Sequence, residues 1–129
     1  MPSAYAWLAV AVGAALGACL RFALGVLLNP VLPNFPLGTW FANLGGAFLI
    51  GVGMEYILRH PAIPPELTAF LIPGFLGGLT TFSAFSAESL SLLLRQEYAW
   101  AGFHATAHVL GSLVMAGMGV YTIRCLQLP

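Results

Sequence analysis

Charged residues are scarce in this 129-residue chain, and that scarcity limits its folds more than any other feature. Only 6% of the residues are charged, whereas a soluble domain carries about 25%. Apolar residues make up 60% of the chain, so the sequence predicts an integral membrane protein in contact with lipid. The formal net charge is zero, and no nucleic-acid partner is indicated.

Four apolar runs are long enough to cross a bilayer as helices, which takes about 20 residues each. They cover approximately residues 4–28, 38–58, 67–94 and 100–126. The segments between them are rich in proline and polar residues, as loops are. No room remains for a soluble domain. Residues 1–129 are therefore predicted to form one all-α membrane domain of four transmembrane helices.

The arginines do not determine which way the chain inserts. With four spans, Arg59 and Arg124 lie on one side, and Arg95 lies on the other, joined by Arg21 if its side chain snorkels. The positive-inside rule then gives no preference. Two outcomes stay open: insertion in both orientations, with an antiparallel dimer, or a weak signal that the cell resolves by other means.

The third run contains a segment unsuited to a continuous helix, "GFLGGLTTFSAFS" at residues 74–86. A helix over 67–94 would be ~42 Å long, against a hydrocarbon core of ~30 Å. The glycines and Pro73 predict a break near residues 74–81, in the middle of the membrane. Such a break either packs as a tolerated kink or exposes carbonyls that can hold a cation. The neighbouring hydroxyl groups favour the second interpretation.

Polar residues in two other spans share helix faces. Thr39 and Asn43 lie on one face of the second span and either bond another helix or line an ion path. His104, His108 and Ser112 form a stripe on the fourth span, which suits interhelical hydrogen bonds or a water-filled track. Two histidines at this spacing can also share a metal ion, but no nearby carboxylate or cysteine completes such a site by sequence.

Four other residues have two interpretations each. The spacing of Phe82 and Phe85 predicts ordinary apolar packing, although electropositive ring edges can stabilise an anion. Glu88 suits either the mouth of the polar stripe or an interfacial position. Arg21 either snorkels to the surface or supplies positive potential near an anion path.

Small residues recur at the spacing of close helix contacts in lipid. Gly13 with Gly17, and Gly74 with Gly78, are the two GxxxG pairs of the first and third spans. Either pair alone is a weak signal in a chain with fifteen glycines.

Three motifs resemble those of the Fluc (CrcB) fluoride channel family. "GGLTTFSAFSAE" is similar to the family's third-span signature, "GTWFANLGGAFLIG" to its second-span motif and "GACLRF" to its first-span motif. They occur in the expected order and, with the four-span plan, cover nearly the whole chain. The resemblance implies a fluoride-selective channel for passive efflux across the plasma membrane, which confers fluoride resistance, and no enzymatic activity.

The resemblance also implies an antiparallel, dual-topology homodimer with two fluoride pathways and a structural Na⁺ at its centre. Backbone carbonyls of Gly77 and Thr80 would hold that ion. The residues matched to the fluoride pathway are Arg21, Thr39, Asn43, Phe82, Phe85, Glu88 and Ser112. His104 and His108 stand where a tyrosine- or serine-like residue is expected. If both face the pathway, we expect conduction to depend on pH.

Three other functions compete with a channel. A small dual-topology, proton-coupled exporter needs a membrane-embedded carboxylate, typically in the first span, which holds only Arg21. An intramembrane enzyme would use Ser112 with His108, but no third group is evident. A non-catalytic membrane assembly subunit explains the apolar bulk but not the hydroxyl-rich break.

Overall fold

The computed structural model describes residues 2–126, and every regular element in that range is helical. The α-helices are α1 (Ala4–Leu28), α2 (Leu37–Arg59), α3 (Pro65–Ala69), α4 (Gly77–Leu79), α5 (Phe82–Leu94) and α6 (Tyr98–Leu126). A 3-10 turn, Asn29–Val31, follows α1, and a π-helical segment, Phe70–Leu76, connects α3 to α4. Residues 1 and 127–129 of the predicted single domain lie outside the described range.

Four helical stretches are long and apolar enough to cross a membrane. They are Ala4–Val31, Leu37–Arg59, Pro65–Leu94 and Tyr98–Leu126. The prediction of an all-helical chain with four candidate spans is confirmed, and the chain is a multi-pass membrane protein. The last three spans begin one or two residues earlier than predicted, partly because Pro65 occupies the first helical position, where its missing N–H needs no partner.

Capping residues fix where helices begin. Ser3 caps α1, since its Oγ accepts a hydrogen bond from the Ala6 amide at 3.2 Å. The same hydroxyl donates to Glu66 at 2.9 Å and so ties the start of α1 to α3. Thr81 caps α5, since its Oγ1 accepts from the Ala84 amide at 3.1 Å.

The backbone of the third span changes conformation twice. Pro73 lies in the π-helical segment, where an altered hydrogen-bond pattern accommodates a residue without an N–H. After α4, Thr80 (φ −82°, ψ 155°) and Thr81 (φ −151°, ψ 122°) are extended, and helical geometry resumes at Phe82. Two extended residues therefore separate α4 from α5.

Glycine allows α1 to pack directly on the backbone of the third span. A Cβ at Gly17 would overlap the carbonyl of Phe75, and one at Gly78 would overlap the backbone of Ala14. Both GxxxG pairs of the sequence lie at this contact, as close helix packing requires.

The second close contact, between α2 and α6, also depends on glycine. A Cβ at Gly51 would overlap the carbonyl of Ala116, and one at Gly119 would overlap the carbonyl of Phe48. At the ends of these helices, buried Glu55 accepts from Arg59 at 2.8 Å and from Arg124 at 3.0 Å. The ion pairs join the C-terminal end of α2 to that of α6.

Candidate functional site

A side chain from α2 holds the extended backbone at Thr81. The Thr81 amide donates to Oδ1 of Asn43 at 2.7 Å, and Nδ2 of Asn43 donates to the Thr81 carbonyl at 3.0 Å. The carboxamide thus supplies both an acceptor and a donor to backbone groups that a continuous helix would have paired. The two hydrogen bonds also determine which side of the carboxamide carries the nitrogen.

His108 lies against this nitrogen. Its Nδ1 is 3.1 Å from Nδ2 of Asn43. Because Oδ1 already accepts from Thr81, the amide nitrogen is the donor, and Nδ1 of the neutral imidazole accepts. The proton of the neutral ring is therefore on Nε2. His108 is only 4% exposed, and among residues 2–126 its Nε2 has no hydrogen-bond partner.

Glu88 connects three helices through a second set of hydrogen bonds. One carboxylate oxygen accepts from Oγ1 of Thr39, and the other lies 3.2 Å from Nε2 of His104. His104 is completely buried, and its Nδ1 lies 3.0 Å from Oγ of Ser89. Beyond Thr39, Oδ1 of Asn29 accepts the Thr39 amide at 3.2 Å. Polar groups thus run continuously from the end of α1 to α6.

Aromatic rings cover both histidines. Phe85 stacks on His104 with centroids 5.3 Å apart and an interplanar angle of 9°, and its centroid is 5.0 Å from that of His108. Phe35, in the loop between α1 and α2, packs edge-on against His104 at 5.7 Å. Phe82 lies 5.4 Å from Phe85 and is 76% exposed in the single chain. His104 therefore covers one face of the Phe85 ring.

A cavity of about 430 Å³ connects the predicted pathway residues of α2, α5 and α6. The side chains of that set which line it are Asn43, Phe82, Phe85, His108 and Ser112. Gly77 and Thr80 line the same cavity. The structure therefore brings two residues of the α6 stripe, His108 and Ser112, to the same cavity as the phenylalanine pair and the extended backbone.

Arg21, Thr39 and Glu88 line a different cavity, of about 330 Å³. Nε of Arg21 donates to the carbonyl of Gly78 at 3.1 Å, so its guanidinium lies beside the third span. The polar groups that run from Asn29 through Glu88 to His104 form a polar path. Of the two roles considered for Arg21, this placement supports a positive potential near that path. Glu88 is held by Thr39 and His104 at one end of that path.

Comparison with known proteins decides the family. The family model described as "CrcB-like protein, Camphor Resistance (CrcB)" matches residues 8–120. The chain belongs to the CrcB family. The resemblance inferred from three motifs is confirmed.

Curated relatives of this CrcB protein match it over almost its whole length, and each is named fluoride-specific ion channel FluC. The one from Nitrosospira multiformis is 52% identical over 122 residues, which is 95% of each chain. The one from Aromatoleum aromaticum is 55% identical over 114 residues, 88% of this chain and 87% of its own. The one from Cupriavidus pinatubonensis is 48% identical over 120 residues, 93% and 95% of the two chains.

Two backbone carbonyls of this CrcB protein lose their helical partners at the extended residues. In a continuous helix, the Thr81 amide would bond the Gly77 carbonyl, and the Ala84 amide would bond the Thr80 carbonyl. Instead, Thr81 donates to Asn43 and Ala84 donates to Oγ1 of Thr81. Oxygen ligands of this kind suit a hard cation, so they fit the Na⁺ that the resemblance implies.

One expectation from the sequence of this CrcB protein is wrong. No carboxylate was expected near His104 and His108, but Glu88 offers an oxygen within 4.8 Å of a nitrogen of each. Asn29, Phe35 and Ser89 were not expected at the site. Only Asn29 carried a signal, as a polar residue that ends an apolar run before a proline; the others are typical loop or helix residues until the helices pack.

Proposed function

We propose that this chain is the subunit of a fluoride-selective channel that lets fluoride leave the cell passively across the plasma membrane and so confers fluoride resistance. The observation that carries the proposal is the shared cavity, in which hydrogen-bond donors of His108 and Ser112 meet the rings of Phe82 and Phe85, while Asn43 orients the His108 ring. The names of the curated relatives support the same function.

The donors suit a small, strongly hydrated anion. Fluoride can enter only if protein groups replace its water, and Nε2–H of His108 is a buried donor with no acceptor among the described residues. Ser112 adds a hydroxyl, and the edge of Phe85 adds a weakly positive surface where donors are few. Neutral donors bind an anion less tightly than a fixed cation would, which favours release as well as entry.

At the other end of the path from the large cavity, the Glu88 carboxylate competes with the anion for hydrogen-bond donors. Its carboxylate already accepts from Thr39 and contacts Nε2 of His104. A fluoride ion that takes these donors must displace the carboxylate. Fluoride then moves from Arg21 toward the large cavity by taking the place of the Glu88 carboxylate.

The channel is an antiparallel, dual-topology homodimer in this proposal. The undecided arginine count allows both orientations, and Phe82, exposed in the single chain, would be covered by the partner. The extended residues lie halfway along Pro65–Leu94, so they fall near the middle of the membrane. One chain offers the carbonyls of Gly77 and Thr80, and a two-fold related copy doubles the oxygen ligands available to a structural Na⁺.

Flux measurement tests the function. Purified protein is reconstituted in liposomes loaded with fluoride or with chloride, and efflux is followed with ion-selective electrodes at equal pH inside and outside. We expect rapid fluoride efflux and no chloride efflux. Equal efflux of both anions, or none, would contradict a fluoride channel. Efflux that appears only with an imposed proton gradient would favour the coupled exporter.

A further inference from the structure

We propose that Glu88, His104 and His108 together bind a divalent transition-metal ion of the Zn²⁺ class. Each residue offers one ligand atom, and the three atoms lie within 4.8 Å of one another. Two imidazoles and one carboxylate form a common ligand set for zinc and neighbouring metals. Ligands ~2.1 Å from a tetrahedral ion lie about 3.4 Å apart. Nε2 of His104 and the Glu88 carboxylate, at 3.2 Å, already meet that spacing.

A second observation is the ring nitrogen of His108. The residue is 4% exposed, and its Nε2 has no hydrogen-bond partner among the described residues. A buried polar atom without a partner destabilises the folded state, and a bound ion would use that nitrogen as a ligand. Helix packing, rather than loop conformation, brings the ring of His108 to the same region as Glu88 on α5 and His104 on α6.

Two of the three ligands are already oriented for a metal. With Nε2 of His104 on the ion, its Nδ1–H donates to Oγ of Ser89, which is 3.0 Å away. One oxygen of Glu88 stays bonded to Thr39 while the other turns to the ion. Outer contacts of this kind fix ligand orientation and strengthen metal binding.

His108 is the ligand that must lose a hydrogen bond, whereas His104 has only to move its proton from Nε2, which faces the Glu88 carboxylate, to Nδ1, where Ser89 can accept it. Nε2 can bind a metal only after its proton leaves, which places the remaining proton of the neutral ring on Nδ1. That proton would face the amide nitrogen of Asn43, which is itself a donor. Metal binding therefore separates His108 from Asn43, whereas the two bonds between Asn43 and Thr81 remain.

An ion can reach the three residues from the Glu88 side. Glu88 lines a surface cavity with Asn34, Ser91 and Arg95, in addition to the one it shares with Arg21. His108 lines the large cavity. An ion bound between them would lie across the polar path. Metal binding does not depend on the proposed function, but the consequence that Zn²⁺ blocks fluoride flux does.

Co²⁺ provides a direct test of binding. The full-length protein, with its affinity tag removed and with Cys19→Ser and Cys125→Ser to eliminate thiol ligands, is titrated with CoCl₂ in detergent. We expect the visible absorption of four- or five-coordinate Co²⁺, lost when excess ZnCl₂ is added. His108→Gln and His104→Gln should each weaken Co²⁺ binding at least tenfold. Absence of the absorption in the parent protein would overturn the proposal.

The third histidine is the matched control. His60 lies at the end of α2, where it stacks on Tyr56, so His60→Gln should leave the Co²⁺ titration unchanged. Equal weakening by His60→Gln, or no weakening by His108→Gln, would also overturn the site. If His104→Gln fails to fold, as judged by gel filtration, His108→Gln and Glu88→Gln decide the result.

Zn²⁺ inhibition of fluoride efflux then tests the block, with each variant normalised to its own metal-free rate. We expect strong inhibition of the parent and of His60→Gln, and at least tenfold lower Zn²⁺ sensitivity in His108→Gln. Flux that is insensitive to Zn²⁺ in a parent that binds Co²⁺ would overturn the block. If the metal-free protein transports no fluoride, the proposed function fails, and the Co²⁺ titration still decides the metal site.

Discussion

At the scale of single residues, Asn43 connects the backbone of the third span to the side chains of α6. One carboxamide satisfies the amide and carbonyl of Thr81 and orients the neutral ring of His108. Both the extended backbone and the direction of the buried His108 proton therefore depend on one side chain.

Asn43→Ala should destabilise the fold because it leaves polar backbone groups of Thr81 unpaired. An unsatisfied buried group costs about 1–3 kcal/mol. We expect a lower midpoint of thermal unfolding in detergent, measured by tryptophan fluorescence. Asn34→Ala, in the loop between α1 and α2, is the control and should leave the midpoint unchanged. Identical midpoints for the two variants would show that the carboxamide contributes no stability.

Phe82 provides the test of ring edges at the residue scale. Phe82→Ile keeps an apolar side chain at an exposed position but removes the electropositive edge, so we expect fluoride flux to fall about tenfold, equivalent to about 1.4 kcal/mol. Phe41→Ile, an exposed phenylalanine on α2 outside the large cavity, should retain flux. Gel filtration confirms that both assemble normally. Full activity of Phe82→Ile would contradict the role of the ring.

At the scale of elements, contacts through glycine hold α2 against α6 and α1 against the third span. In these contacts backbone touches backbone, so an added methyl group has no side chain to displace. The positions of Asn43 on α2 and His108 on α6 depend on this distance, because their hydrogen bond spans the α2–α6 contact.

Alanine substitutions at two glycines on α6 distinguish the effect of close helix contact on stability from the effect of helix propensity. Gly119→Ala would drive a Cβ into the Phe48 carbonyl, and we expect a destabilisation of about 1–3 kcal/mol. Gly117→Ala meets nothing within 4 Å, and in a helix alanine is favoured over glycine by about 1 kcal/mol. Thermal unfolding in detergent should therefore shift in opposite directions. A shift of the same sign and size would contradict the close α2–α6 contact.

At the scale of the whole molecule, the proposed dual topology depends on the distribution of charge. Arg59 and Arg124 share Glu55 at the C-terminal ends of α2 and α6, and Arg21 donates to the Gly78 carbonyl of the third span. Arg21 therefore adds little positive charge to the membrane side that holds Arg95. With Arg59 and Arg124 on the opposite side, the two sides differ by one arginine. That small difference is the basis of the proposed dual topology.

Added lysines should break the balance. His60→Lys with Ala62→Lys places two more positive charges in the loop after α2, so we expect one orientation, single-sided labelling of a tagged terminus and loss of fluoride flux. Co-expression with an oppositely biased chain, Asn34→Lys with Gln96→Lys, should restore flux. The glutamine versions at residues 60 and 62 are the control. Full flux from the lysine variant alone would contradict an antiparallel dimer.

Removal of sodium tests the centre of the proposed dimer. If the carbonyls of Gly77 and Thr80 from two chains hold Na⁺, replacing Na⁺ by N-methyl-D-glucamine should abolish fluoride flux or shift gel filtration toward the monomer. Restored Na⁺ should recover flux, and equal ionic strength in both buffers excludes a general salt effect. Unchanged flux and unchanged elution in the absence of sodium would contradict the site.

The amino-acid sequence alone determined the four spans, the all-helical class and the family. Long apolar runs can satisfy their backbone in lipid only as helices, and the motif around Thr80, Thr81 and Phe82 is specific enough to indicate the family. It also indicated, through Pro73 and the glycines, where helical geometry changes. These features are local, so each can be recognised from neighbouring residues.

Tertiary structure alone decided how the polar groups pair. Glu88 and His104 lie on different spans, as do Asn43 and His108. No local sequence pattern predicts that the residues of either pair contact each other. The glycine contacts of α2 with α6 set the distance between Asn43 and His108. The position of the proton on Nε2 of His108 follows from the hydrogen bond that the Thr81 amide donates to Asn43. Packing between helices, rather than periodicity within one, fixes the direction of each donor.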